Sequence, residues 1–62
     1  MLAIVTGTAD GLPVHGEQRT PEDHARFINE LVDGSEKLDL TVKLLREDRP
    51  EQEYKLMKGV KA

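Results

Sequence analysis

Two histidines, His15 and His24, three close pairs of carboxylates and a C-terminal group of lysines are the side chains of this chain whose chemistry could be put to work. A zinc site built on His15 and His24 would need further ligands completing a tetrahedron. The sequence has no cysteine, so only carboxylates could supply them. Acid–base work by a carboxylate pair requires one member to be desolvated so that its pKa rises. Glu22 with Asp23 falls at a helix start, and Glu47 with Asp48 and Glu51 with Glu53 fall around a turn, all places that water reaches. The pattern implies no catalytic residue, no metal and no cofactor, and the chain is read as a non-enzyme.

The elements that must carry these residues are legible from local signals. Thr20-Pro21-Glu22-Asp23 opens a helix that Gly34 closes. The Thr20 hydroxyl suits an N-cap bonded to the Asp23 amide, and Pro21 sits at the first helical position, where a missing N–H costs nothing. Glu22 and Asp23 place negative charge at the positive end of the helix dipole. Ala25, Ile28, Leu31 and Val32, widened by Phe27, form the apolar stripe, with His24 flanking it over Ile28. Glu22, Arg26 and Glu30 form a solvated ladder on the other side. Gly34 is expected to end the helix in the left-handed cap conformation.

Around this helix the pattern changes to the period of a strand. Residues 2–8 are β-branched and apolar, and Asp10-Gly11 follows as a tight turn. Leu12 and Val14 alternate with Pro13 and His15 in a second strand, which Pro13 confines to an edge or a bulge. Gly16 to Arg19 reads as a linker. Leu38, Leu40, Val42 and Leu44 point to one side of a strand, and Asp39, Thr41 and Lys43 to the other. Leu45 breaks that alternation and marks a bulge or a partner-facing residue. After a turn at Glu47 to Glu51, Tyr54, Leu56 and Val60 share a parity that favours a final strand. A helix over residues 50–58, with Lys55 and Lys58 late and Gly59 after its end, is the competing reading. The expected fold is α+β: a small antiparallel sheet of three to four strands with one helix packed across it, in the order hairpin or strand, helix, hairpin.

The run Ile4-Val5-Thr6-Gly7-Thr8-Ala9-Asp10-Gly11-Leu12 resembles the opening of the short-chain dehydrogenases, a strand running into Thr-Gly-x-x-x-Gly. That resemblance implies a dinucleotide site at the turn. Pro13 stands where the family has its last glycine, and the next helix signal waits until Thr20, so no helix N-terminus meets a pyrophosphate. The run is read as a strand ending in an Asp-Gly turn. In size and element order the chain is similar to the 4-oxalocrotonate tautomerase family, whose base is an N-terminal proline. Residue 2 here is Leu, and the first proline is Pro13.

Length and charge bound the partners. With 62 residues the chain forms one domain at most, spanning 1–62, and buries only about 60% of its unfolded surface. Marginal stability of this kind makes a homodimer through a sheet edge, or a larger partner, a live expectation. No run reaches the ~18 apolar residues of a membrane span, and no basic region precedes the short N-terminal apolar stretch. The expected location is the cytoplasm, with no membrane partner. Net charge is -3, with residues 17–36 acidic and residues 37–62 mildly basic.

These features point first to a non-catalytic protein-binding module, a small regulator or inhibitor of a larger protein. Glu22, Asp23, Glu30 and Asp33 on the helix, together with Leu45 and Met57, are its candidate contacts. A nucleic-acid-binding module using Lys43, Arg46, Lys55, Lys58 and Lys61 is the alternative, weakened by an acidic chain with one aromatic near the basic tail. A further alternative is a nucleic-acid mimic, in which Glu22, Asp23, Glu30, Asp33 and Glu36 stand in for phosphates.

Overall fold

The computed structural model describes residues 1–59. The chain runs as two antiparallel hairpins joined by a helix: β1 (Leu2–Ala9), β2 (Leu12–Gln18), α1 (Pro21–Gly34), β3 (Leu38–Arg46) and β4 (Arg49–Lys58). All pairings are antiparallel and the strand order is β2-β1-β3-β4. This is the expected α+β sheet with one helix across it. The final strand is present, and Val60, whose parity supported it, lies outside the described residues.

The first hairpin closes as its sequence demands. Ala9 faces Leu12 across a two-residue turn, in which Asp10 has φ 51° and Gly11 φ 81°. Left-handed conformation at both central positions is the type I′ turn that matches the twist of the flanking strands. Asp10 is held there from outside the hairpin. Its carboxylate accepts from the Glu36 and Lys37 amides at 3.0 and 2.8 Å, and its own N–H donates to Lys37 O at 2.9 Å. The turn is thereby tied to the segment that leads from α1 into β3.

β2 extends through Gln18, where a linker was expected from Gly16 onward. Gly16 faces Val5 and Gln18 faces Ala3 in the ladder. The reason a glycine is suited to this strand is its neighbour: a Cβ on Gly16 would stand 2.6 Å from Phe27 Cζ. The Phe27 ring lies over the bare backbone. Pro13 occupies an edge strand, as its missing N–H requires.

α1 begins as expected, with Thr20 Oγ1 accepting from the Asp23 amide at 3.2 Å and Pro21 in the first turn. Its end differs. Gly34 is the last helical residue and is not left-handed; the chain leaves through Ser35 in extended conformation. The Lys58 ammonium replaces the missing glycine cap by donating to Val32 O and, at 2.9 Å, to Ser35 O. The last turn of α1 has no basic residue of its own. The apolar stripe is Phe27, Ile28, Leu31 and Val32, with His24 half-buried beside them, while Ala25 is exposed.

Side-chain alternation gives the sheet two unlike faces. Ala3, Val5, Leu38, Leu40 and Val42 are fully buried under the helix, and Ala9, Val14, Leu44 and Leu56 pack around them. No helix residue is itself fully buried, so α1 is a partial cover. The bulge anticipated at Leu45 is present, since the β3–β4 register shifts between Leu44 and Arg46. Among the described residues no helix is long and apolar enough to cross a membrane.

Candidate functional site

Among the described residues, nothing forms a layer over the second face of the sheet. Register places its residues in rows across the strands. Leu2 lies opposite Leu45; Glu17, Ile4, Lys43 and Glu53 form the next row; His15, Thr6, Thr41 and Lys55 follow; Pro13, Thr8, Asp39 and Met57 end it. Leu2, Ile4 and Leu45 are half-buried neighbours, an apolar patch at one end. Its rim mixes signs: Lys43 stands between Ile4 and Glu53, with Glu17 on the far side of Ile4. His15 Nε2 and Glu17 Oε1 lie 3.8 Å apart along the exposed edge.

Above the other face a polar chain pins the helix to both outer strands. His24 Nδ1 lies 3.0 Å from Gln18 Oε1 on β2, and His24 Nε2 lies 3.2 Å from the Tyr54 hydroxyl on β4. With the Gln18 amide oxygen as acceptor, the assigned tautomer is neutral: Nδ1–H donates and Nε2 accepts from Tyr54. Gln18 is the buried polar residue of the described chain, 7% exposed, and this bond satisfies it. Desolvation holds the His24 imidazole below its ordinary value of 6.5.

The residues singled out from sequence fall on separate surfaces. Glu22, Glu30 and Asp33 are exposed on the outer side of α1 with Arg26 among them, and Asp23 is exposed at the helix start. Glu36 is exposed just beyond the helix. Leu45 and Met57 lie on the opposite side of the molecule, on the uncovered sheet face. Even these two are apart: Met57 faces Asp39, about 20 Å along β3 from Leu45 at the usual strand rise. Of the basic residues, Lys43 and Lys55 share the uncovered face as diagonal neighbours, Arg46 faces Arg49 at the hairpin end, and Lys58 is turned to the helix carbonyls. Lys61 lies outside the described residues.

Three features escaped the sequence reading. The Gln18–His24–Tyr54 chain joins residues far apart in sequence, and nothing local announces it. The Asp10 clamp was hidden because Asp-Gly already explains itself as a turn. Leu2 and Ile4 did carry a signal: an unbroken Leu-Ala-Ile-Val run is apolar on both faces of a strand, and so marks a second apolar surface.

Among the described residues no cavity opens, and no three His, Cys, Asp or Glu side chains gather where a metal ion could be held. Compared with known proteins, the chain matches no family model, no curated protein and no solved structure. The molecule is therefore defined by its architecture: a four-stranded antiparallel sheet, one helix on one face, and the other face uncovered.

Proposed function

We propose that the chain is a non-catalytic protein-binding module, a small regulator or inhibitor that grips a larger protein through the uncovered face of its sheet. The observation that carries this reading is the Leu2–Ile4–Leu45 patch on the central strands, with Glu17, Lys43 and Glu53 around it. An apolar centre with a rim of both signs fits a protein surface of the same make-up. It suits a phosphate backbone poorly, because Glu53 stands directly opposite the lysine that would meet the phosphates and Glu17 closes the same row beyond Ile4.

The test is affinity capture of the tagged chain from its source lysate, with and without nuclease, beside the variant Ile4→Thr/Leu45→Lys. The expected result is one protein retained in near-equal amount, unaffected by nuclease and lost with the variant, whose far-ultraviolet circular dichroism stays native. Retention that disappears with nuclease would move the function to nucleic acid. Retention by the folded variant equal to that of the parent would show that another surface makes the contact.

A further inference from the structure

We propose that β4 pairs antiparallel with the β4 of a second copy, across a two-fold axis at Tyr54, to make one continuous sheet. This inference stands apart from the binding reading above, since it concerns the edge of the sheet and not its face. The sheet has two edges. β2 carries Pro13 and Gly16, which blunt it. β4 from Glu51 to Lys58 has neither proline nor glycine. Two of the large apolar side chains left exposed by the fold, Tyr54 at 43% and Met57 at 52%, belong to this strand.

Ladder alternation tells which backbone groups are free. A two-residue turn closes on a hydrogen-bonded pair, here Ala9 with Leu12. Alternate residues of β1 then bond to β3, and the bond from Asp10 N to Lys37 O follows that parity. Carried across β3, the alternation turns Gln52, Tyr54, Leu56 and Lys58 inward to their partners. Glu51, Glu53, Lys55 and Met57 are left with N–H and C=O pointing away from the sheet.

Charge selects the register. A two-fold axis perpendicular to the sheet sets some residue of β4 opposite its own copy. Centring on Glu53 or Lys55 opposes like charges directly, and centring on Gln52 brings Glu51 against Glu53′. Centring on Leu56 leaves Glu53 facing Gly59′. Centring on Tyr54 places Glu53 opposite Lys55′ twice over, which is favourable for directly opposed residues. The same register pairs Glu51 with Met57′, so every outward group of this stretch finds a partner. On the helix side it sets Tyr54 against Tyr54′ and Leu56 over Gln52′.

Sedimentation equilibrium of the full chain tests this, together with Glu53→Lys and Lys55→Glu. The parent is expected to show twice the 7.0 kDa chain mass. Each single variant opposes like charges and is expected to raise the dimer dissociation constant about tenfold. An equimolar mixture of the two variants restores both opposite-charge pairs and should recover the dimer. A parent that stays monomeric, a dimer indifferent to either variant, or a mixture that does not recover would each overturn the proposal. Hydrogen exchange on the parent chain gives a reading independent of any variant. The Glu51, Glu53, Lys55 and Met57 amides should gain protection as concentration rises, while the outward His15 and Glu17 amides of β2 do not. Equal exchange at both edges would sink it.

Discussion

Replacing Lys58 by methionine is expected to cost about 1 kcal/mol of stability, and the reason lies at the end of α1. The helix has neither a left-handed glycine cap nor a basic residue in its last turn. Lys58 Nζ, reaching over from β4, donates to Val32 O and Ser35 O. Hydrogen bonds that involve a charged group contribute about 1.5–3 kcal/mol when well shielded, and a cation at a helix C-terminus about 0.3–1 kcal/mol. Lys58 is exposed, which weakens both, and ordering its side chain opposes them by up to about 2 kcal/mol. The balance is about 1 kcal/mol, or a fall of about 4–8 °C in melting temperature for a domain this small. Thermal unfolding followed by circular dichroism reads it, with Arg19→Met as the control. Arg19 is exposed between β2 and α1, and its loss should change stability by no more than about 0.5 kcal/mol. If Lys58→Met melts with the parent, or Arg19→Met falls as far, the capping argument is wrong. The result also bears on nucleic acid: a lysine held at the helix end is not free for phosphate, so Lys58→Met should leave any retention on heparin unchanged.

Asp10→Ala should destabilise the fold by about 2 kcal/mol, through loss of the carboxylate bonds to the Glu36 and Lys37 amides and strain at φ 51°. Asp10→Gly removes the bonds but not the permitted conformation, and chemical denaturation of both variants separates the two effects. Gly16→Ala forces the Phe27 ring aside and should cost about 1–3 kcal/mol, as overpacking does; Phe27→Leu in the same chain should recover part of it. His24 has its folded-state pKa depressed by desolvation, so the unfolded chain takes up its proton first as pH falls. The contribution of the neutral imidazole is present above 6.5 and is lost as pH drops through the lower folded value. Urea midpoints from pH 8 down to pH 5 should therefore decline, and His24→Asn should flatten that decline.

The sequence disclosed those parts of the fold that rest on neighbours in the chain. Thr20 and Pro21 start the helix, Asp10-Gly11 makes the turn, and the parity of Leu38 to Leu44 names the buried face, because each depends on backbone geometry within a few residues. Gly34 misled for the same reason. Its local signature is a left-handed cap, yet the C-terminal carbonyls are met by Lys58, a residue more than twenty positions away that no local rule reaches. Gly16 was read as linker because glycine weakens a strand, whereas its bare backbone is what admits Phe27. The site was less legible still. Leu45 stood out because it breaks an alternation, but Leu2 and Ile4 join it only through the β1–β3 register, which pairs strands that the helix separates in sequence.

The uncovered face and the free edge have one cause. A single helix over four strands shields one side and leaves the outermost strands unpaired, and the described residues hold no further element to cover either. Sequence has treated these liabilities unequally. β2 is interrupted by proline and glycine, while β4 keeps an unbroken run with acids before Tyr54 and lysines after it, a pattern complementary to itself in reverse. Pairing through β4 would also set two Leu2–Ile4–Leu45 patches on one surface. Across the sheet they would be separated by about 24 Å, five strand spacings from β1 to β1′ at the usual separation, with a further offset along the strands. A partner that meets both patches is held by effective concentration as well as by contact. Lys55→Glu would then weaken capture together with dimerisation; Leu45→Lys would weaken it even in a chain that dimerises normally. The two variants thus separate the edge from the face.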